Sequence, residues 1–490
     1  MVARKLKTAD TNNDVNVHND NIASSVIQVE GMASPLWGGH FSRGINDSIQ
    51  KIISTSNFDK RFYAVAVESL KAQVKMHIKR NIIPEASGKA ISDALDAIKK
   101  EVIDGKFVFD ENAKNIYENI SLRLKQLAGN AVEWLTVARA YSNQTTGDFK
   151  LWVRDAYDTL DSSIQNLQAA LIDKAEENVK TIFPGNAHNQ LTQPVSFGHH
   201  LMAYVEMFSR DRSRVKDNRK RMNESPFASG EMVGNTFNLS REMVARMLGF
   251  DKACNNSLDA INDRDYVLDF LSFASNCAIH LSRLAGELIT WHSTHNNYIA
   301  FSNAFVAQSQ VLPYRRDPEA LETIRGKAGK VLGALMGAAA DLKNLPLTST
   351  ADYNELCELV TESYDALLNS LSAMSAIVAD FTINRKQMKE AASGSFSTAI
   401  DLVDWLIQNA GLAPNKAQEK SRLIIEYAIN KGKKLSLLEL EEIKAIEPKA
   451  TDDIYSVLIP SRAMISRRSG NGSNPVQIRK AIRAARRHHL

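Results

Sequence analysis

RDYVLDFLSFASNCAIHLSRLAGELITW, residues 264–291, sets Val267, Phe270, Ala274, Cys277, Leu281, Leu284 and Leu288 at steps of three and four. A helix turning once every 3.6 residues brings such positions onto one face, whereas a strand would scatter them over both. The stretch therefore predicts a helix over 264–291. Two more stripes follow: Leu321, Ile324, Ala328, Val331, Leu335, Ala338 and Leu342, then Leu356, Leu359, Leu367, Leu371, Met374 and Val378. Segments of roughly 25 residues, at about 1.5 Å per residue, reach close to 40 Å, the scale of a long helical bundle. Phe270, Leu271, Phe273 and Ala274 cover more than one face within a turn, so this helix needs neighbours on several sides. Oligomerisation supplies them, or a larger core within one chain.

Outward from these helices the pattern changes. After Ser393 shorter helical patterns are broken by GLAPN and SGNGSNP, which predicts a helical cap over 394–490. Upstream, the central bundle is expected over 146–393 and a helical N-terminal domain over 35–145. Residues 1–34, rich in Asn, Asp and Ser, have too little apolar surface to offset their ordering entropy and read as a disordered extension. The fold class expected is all-α in three domains.

Composition narrows the function classes. Of 490 residues, 44% are hydrophobic and 24% charged, as in ordinary folded proteins. The net charge of +4 hides an asymmetry, because no Asp or Glu follows Asp453 while Arg462, Arg467, Arg468, Arg479, Lys480, Arg483, Arg486 and Arg487 do. Such a tail reads as a solvated helix face, with nucleic-acid binding the less favoured reading. Cys254, Cys277 and Cys357 fit neither a zinc set nor paired disulfides, which points to a reducing compartment. The start, MVARKLKTADTNNDV, has no apolar stretch behind it, and the run around Val331 to Ala340 is too short to span a bilayer. A cytoplasmic protein without a membrane partner is expected.

Three stretches look unlike packing. FPGNAHNQLTQP (183–194) carries a central His188 in a polar loop where a helix should start or end. SGEMVGN (229–235) is a second. FVAQSQVLPYRRDP (305–318) joins two long apolar helices by a basic loop, a placement from which a catalytic residue can close over substrate while its scaffold stays still.

LWGGHFS (36–42), FDKR (58–61), LWVRDA (151–156), NSLDAINDRDYV (256–267) and LETIRGKAGKVLG (321–333) resemble, in order, the argininosuccinate lyase branch of the fumarase/aspartase superfamily. The similarity runs from about Leu36 to the end. It implies a three-domain subunit whose long helices build a twenty-helix homotetramer core, with each active site shared among three subunits. It also implies removal of a proton beside a carboxylate, expulsion of a nitrogen leaving group and release of fumarate, with no metal or organic cofactor.

The family's GSSxMPxKxNP loop matches QSQVLPYRRDP, 308–318, and places the catalytic base on Ser309. The His of its THxQ block falls on His188 of AHNQ, and the orienting carboxylate on Glu322. Chemically, a serine base needs donors that stabilise its alkoxide, and a carboxylate fixes an imidazole tautomer. Read alone, the three also fit a loop serine, a hydrogen-bonding histidine and a first-turn helix acid. Arg139, Gln144, Arg315, Ser42, Gln190 and Asn235 are the expected contacts to a small carboxylate substrate.

Departures cluster in the substrate blocks. HTGRSRNDQ, the family's carboxylate grip, reads TVARAYSNQ at 136–144 and keeps only Arg139 and Gln144 in place. The signature Lys and Asn become Arg315 and Asp317. TYNKDLQxDK reads TSTADYNELC at 348–357, and the DIHTANE region reads NIYENIS at 115–121, with Tyr117 in the His place. With each hydrogen bond to a charged group contributing about 1.5–3 kcal/mol, these changes favour a related N-substituted aspartate over argininosuccinate. The competing expectation is a catalytically impaired homologue with a structural or regulatory role.

Overall fold

The computed structural model describes residues 49, 52–56, 58–110, 113–138, 140–308, 310–348, 352–394, 396–467 and 469–489. The expected extension over 1–34, together with Ser42, Arg139 and Ser309, lies outside them. The chain divides into 1–54 and 55–490, and the second unit carries the architecture below.

Three helices come first: α1 (Tyr63–Lys79), α2 (Glu85–Ile103) and α3 (Ile116–Ala128). Val67, Leu70, Ile91, Leu95, Ile120 and Leu124 form their shared core. Asn115 caps α3 by accepting the Glu118 N–H at 2.9 Å, which satisfies an amide that the helix leaves open.

Five long helices follow. They are α4 (Tyr141–Glu177), α5 (Phe197–Met222), α6 (Asp265–His292), α7 (Glu319–Leu342) and α8 (Tyr353–Asp380). The last three are the apolar stripes of the sequence. Aromatic clusters fix their directions. Phe149, Tyr266 and Tyr353 meet where α4, α6 and α8 begin, so these three run parallel. At the opposite end, Phe197 and His200 from the start of α5 pack edge-on against Trp291 near the end of α6, so α5 runs back.

The many-sided apolar surface of α6 is met within the chain by α5, α7 and α8. The next helix differs. α7 buries Leu321, Ile324, Ala328, Val331, Ala334 and Ala338 along one stripe and leaves Met336, 70% exposed, on the other side.

The stretch read as a polar loop around His188 is instead a β-hairpin, β1 (Ile182–Ala187) with β2 (Gln190–Ser196). Its signal was obscured because Pro184 and Pro194 face each other in the ladder, a pairing that a two-stranded ribbon tolerates because both strands are edges. His188 and Asn189 form the two-residue turn, both in the left-handed region with φ 51° and 58°, as a type I′ turn demands.

The short helices after 393 gather around Leu402, Trp405, Ile424 and Ile454. The closing helix α9 (Pro475–His489) leaves them and lays Ile478, Ile482 and Ala485 into the core of the long bundle. Arg486 reaches Asp173 and Glu176 on α4, and Arg467 holds Asp401. Part of the basic tail is thus neutralised by the chain's own acids. No helix among the described residues is long and apolar enough to cross a membrane.

Candidate functional site

Among the described residues, those singled out in the sequence fall at two opposite ends of the bundle. At the start of α4, Gln144 is 1% exposed and its amide is fully engaged. Nε2 donates to Ser69 Oγ at 2.6 Å and to Asp148 Oδ2 at 2.7 Å, while Oε1 accepts from Gln73 Nε2 at 2.6 Å. Gln144 therefore braces the junction between α1 and α4 and has no amide atom left for a substrate, unlike the contact expected of it.

Tyr117 lies buried beside this network, edge-on to Tyr141 at 5.8 Å. Burial and the neighbouring Asp148 carboxylate hold its hydroxyl well above the usual phenol range, so it stays protonated. The Asp59 carboxyl is pushed up to about 6 by burial, against the lowering effect of hydrogen bonds from Thr55 and the Ile116 N–H and of the Lys60 charge. Its Oδ2 accepts from Thr55 Oγ1 at 2.7 Å and from Ile116 N at 3.0 Å, and Oδ1 has no partner among the described residues.

Opposite α4 stands the segment 229–235. Glu231 Oε1 accepts the Tyr141 N–H at 3.0 Å and its Oε2 accepts the Ser142 hydroxyl. The sequence marked this segment but gave no reason to choose Glu231 within it. Asn235, the residue expected there, turns its Oδ1 onto the Phe237 N–H at 2.9 Å. Asp59, Asp148 and Glu231 are thus polar groups at this end to which the sequence reading gave no role, whereas Tyr117 stands where that reading matched the family's His.

The other end holds His188 at the hairpin tip, exposed, with exposed Gln190 across the turn. The base of the hairpin is fixed by Phe183 against Trp291 at 5.2 Å and Tyr298 at 5.7 Å. From the same end the chain runs through a short ladder, Ala307–Gln308 against Arg316–Asp317. His292 Nε2 lies 3.2 Å from the Arg316 carbonyl oxygen and steadies the ladder. Arg315 is exposed and donates to Asp317 Oδ1 at 2.7 Å, so its guanidinium is shared with a neighbouring carboxylate. Glu322 lies exposed in the first turn of α7. No hydrogen bond among the described residues joins it to His188.

With 37 residues in α4, the two ends are separated by roughly 55 Å of helix. One chain by itself does not bring Gln144 or Tyr141 to His188.

Against known proteins, the family model described as Lyase matches residues 41–333, and one described as Argininosuccinate lyase C-terminal matches 396–464. Among solved structures, EDDS lyase in complex with formate superposes with a TM-score of 0.78 at 21% identity, covering 91% of this chain and 90% of that one. A fumarate lyase from Mesorhizobium sp. BNC1 gives 0.70 at 17% identity, covering 89% and 97%. A class II fumarase from Schistosoma mansoni gives 0.69 at 16% identity, covering 83% and 91%. These structural likenesses establish the all-α fold.

Proposed function

Because the chain belongs to the lyase family of the fumarase/aspartase superfamily, we propose that it breaks a carbon–nitrogen bond, eliminating fumarate from an N-substituted aspartate. Ser309 removes the proton beside a carboxylate, the C–N bond breaks, and the nitrogen leaves with a proton. His188, oriented by Glu322, serves acid/base transfer. Arg139 and Arg315 hold carboxylates, with Ser42, Gln190 and Asn235 as further contacts, and Gln144 supports the grip from behind. The changed blocks at 136–144 and 348–357 favour a relative of argininosuccinate over argininosuccinate itself.

The observation that carries this reading is the separation of the matched segments. The 136–144 grip starts α4 while His188 and the 308–318 loop lie a bundle length away, an arrangement that needs neighbouring subunits to complete a site. The uncovered face of α7 offers surface for that association, which we take to be a homotetramer.

Burial of Tyr117 favours a second reading, a catalytically impaired homologue, because the aligned family position is a histidine. Fumarate release from a panel of N-substituted aspartates decides between them. The lyase releases fumarate and its Ser309→Ala variant does not; a chain silent on the whole panel is the impaired homologue.

A further inference from the structure

We infer that Glu231 is a built-in competitor for a substrate carboxylate, closing the start of α4 until segment 229–235 swings away. The inference rests on the reading of residues 136–144 as a carboxylate grip and assigns that grip a regulator.

Glu231 binds through both carboxylate oxygens, one on a helix N–H and one on a hydroxyl at the same helix start. That is the pairing an incoming carboxylate would seek, at the positive end of a 37-residue helix. An ordinary cap comes from the residue before the helix, but here that residue is Ala140, which has no side-chain acceptor. The donors are instead satisfied by a carboxylate 90 positions along the chain.

The segment has a fixed base and a free tip. At the base, the Phe227 ring lies so close to Gly147 on α4 that an added Cβ there would sit 2.3 Å from Cζ, and Asn143 Nδ2 and Ser229 Oγ both donate to the Pro226 carbonyl. Beyond the base, Gly230 and Gly234 have φ of +74° and +87°, and the Gly234 carbonyl lies where a Cβ on Gly230 would be, 2.1 Å away. Only glycine fits this crossing, and two glycines flanking Glu231 give it a hinge. Val233 at the tip is 90% exposed. Apart from Glu231, the tip is held among the described residues by a hydrogen bond from Ser257 Oγ to the Met232 carbonyl at 2.9 Å.

A tethered group on a short flexible linker acts at an effective concentration on the order of millimolar, so it weakens a free carboxylate that seeks the same donors. Substrate binding and opening of the segment are then one equilibrium, and Glu231 sets how much carboxylate is needed to tip it.

Calorimetric titration with succinate, an unreactive dicarboxylate, tests this on the full-length chain. Glu231→Gln and Glu231→Ala should each bind succinate at least tenfold more tightly than the wild type. Adding Ser142→Ala to either should remove most of that gain. Equal affinity in wild type and both variants, or no binding in any of them, overturns the inference. Fumarate release followed in parallel separates the two ideas. Tighter succinate binding without fumarate from any N-substituted aspartate keeps the competitor and discards the lyase. Fumarate release with unchanged succinate affinity does the reverse.

Discussion

Gln144 Nε2 donates to Asp148 Oδ2 at 2.7 Å, one turn further along α4, and this bond faces the amide inward. Together with Ser69 and Gln73 it joins the first helix of the small N-terminal cluster to the first long helix of the bundle. Its role is to position Tyr141 and Ser142, the residues ahead of it.

Gln144→Leu should therefore lower stability. It strips partners from Ser69, Gln73 and Asp148 in a buried setting, where each unsatisfied group costs about 1–3 kcal/mol. The urea midpoint should fall by a corresponding amount. A Gln144 that faces substrate would leave the midpoint unchanged and alter only KM.

Asp59 gives a pH prediction. Its carboxyl is raised from 3.8 to about 6, so between those values the folded chain keeps a proton that the unfolded chain has released. Stability then falls as pH rises through that window and stays reduced above it, by about 3 kcal/mol at 1.36 kcal/mol per unit. Asp59→Asn removes the charge and leaves the Thr55 and Ile116 bonds an oxygen to donate to, with the NH2 at the Oδ1 place, which has no partner among the described residues. Its melting temperature should exceed that of the wild type at about pH 7.5, and the gap should close by about pH 4.

Gly147→Ala should destabilise by about 1–3 kcal/mol, because the new methyl meets the Phe227 ring. Phe227→Leu in the same chain should recover part of the loss, a coupling that a thermal melt of the two single variants and the double variant resolves.

At the hairpin tip, His188→Asn keeps a residue type that accepts the left-handed conformation, so the turn survives while the imidazole is lost. Fumarate release should drop about 10²–10⁴-fold with an unchanged circular dichroism spectrum. A drop under tenfold would remove His188 from the acid/base step.

The long helices α6, α7 and α8 were legible because their buried residues are apolar and recur at helical steps. The longest helix, α4, was not. Its first turns bury Ser142, Asn143, Gln144, Thr146, Asp148 and Lys150, so burial there carries no apolar stripe. The hairpin was hidden for a related reason: only its base residues, such as Ile182 and Phe183, are both apolar and buried, and a turn made by His188 and Asn189 lacks the usual glycine. At the site, position in the chain gave Gln144 a substrate contact, while its environment gives it an internal one. Glu231 was unreadable because its meaning comes from a partner 90 residues away.

The central claim is a lyase whose sites are completed by neighbouring subunits, and fumarate release from mixed variants tests it most directly. Arg139→Ala and His188→Asn are each assayed alone, then after being dissociated and reassembled together, beside wild type taken through the same cycle. The account predicts near silence from each variant and a substantial recovered fraction from the mixture, because some sites then draw an intact Arg139 and an intact His188 from different chains. A mixture that stays silent while treated wild type remains active, or a wild type that never releases fumarate, would contradict it.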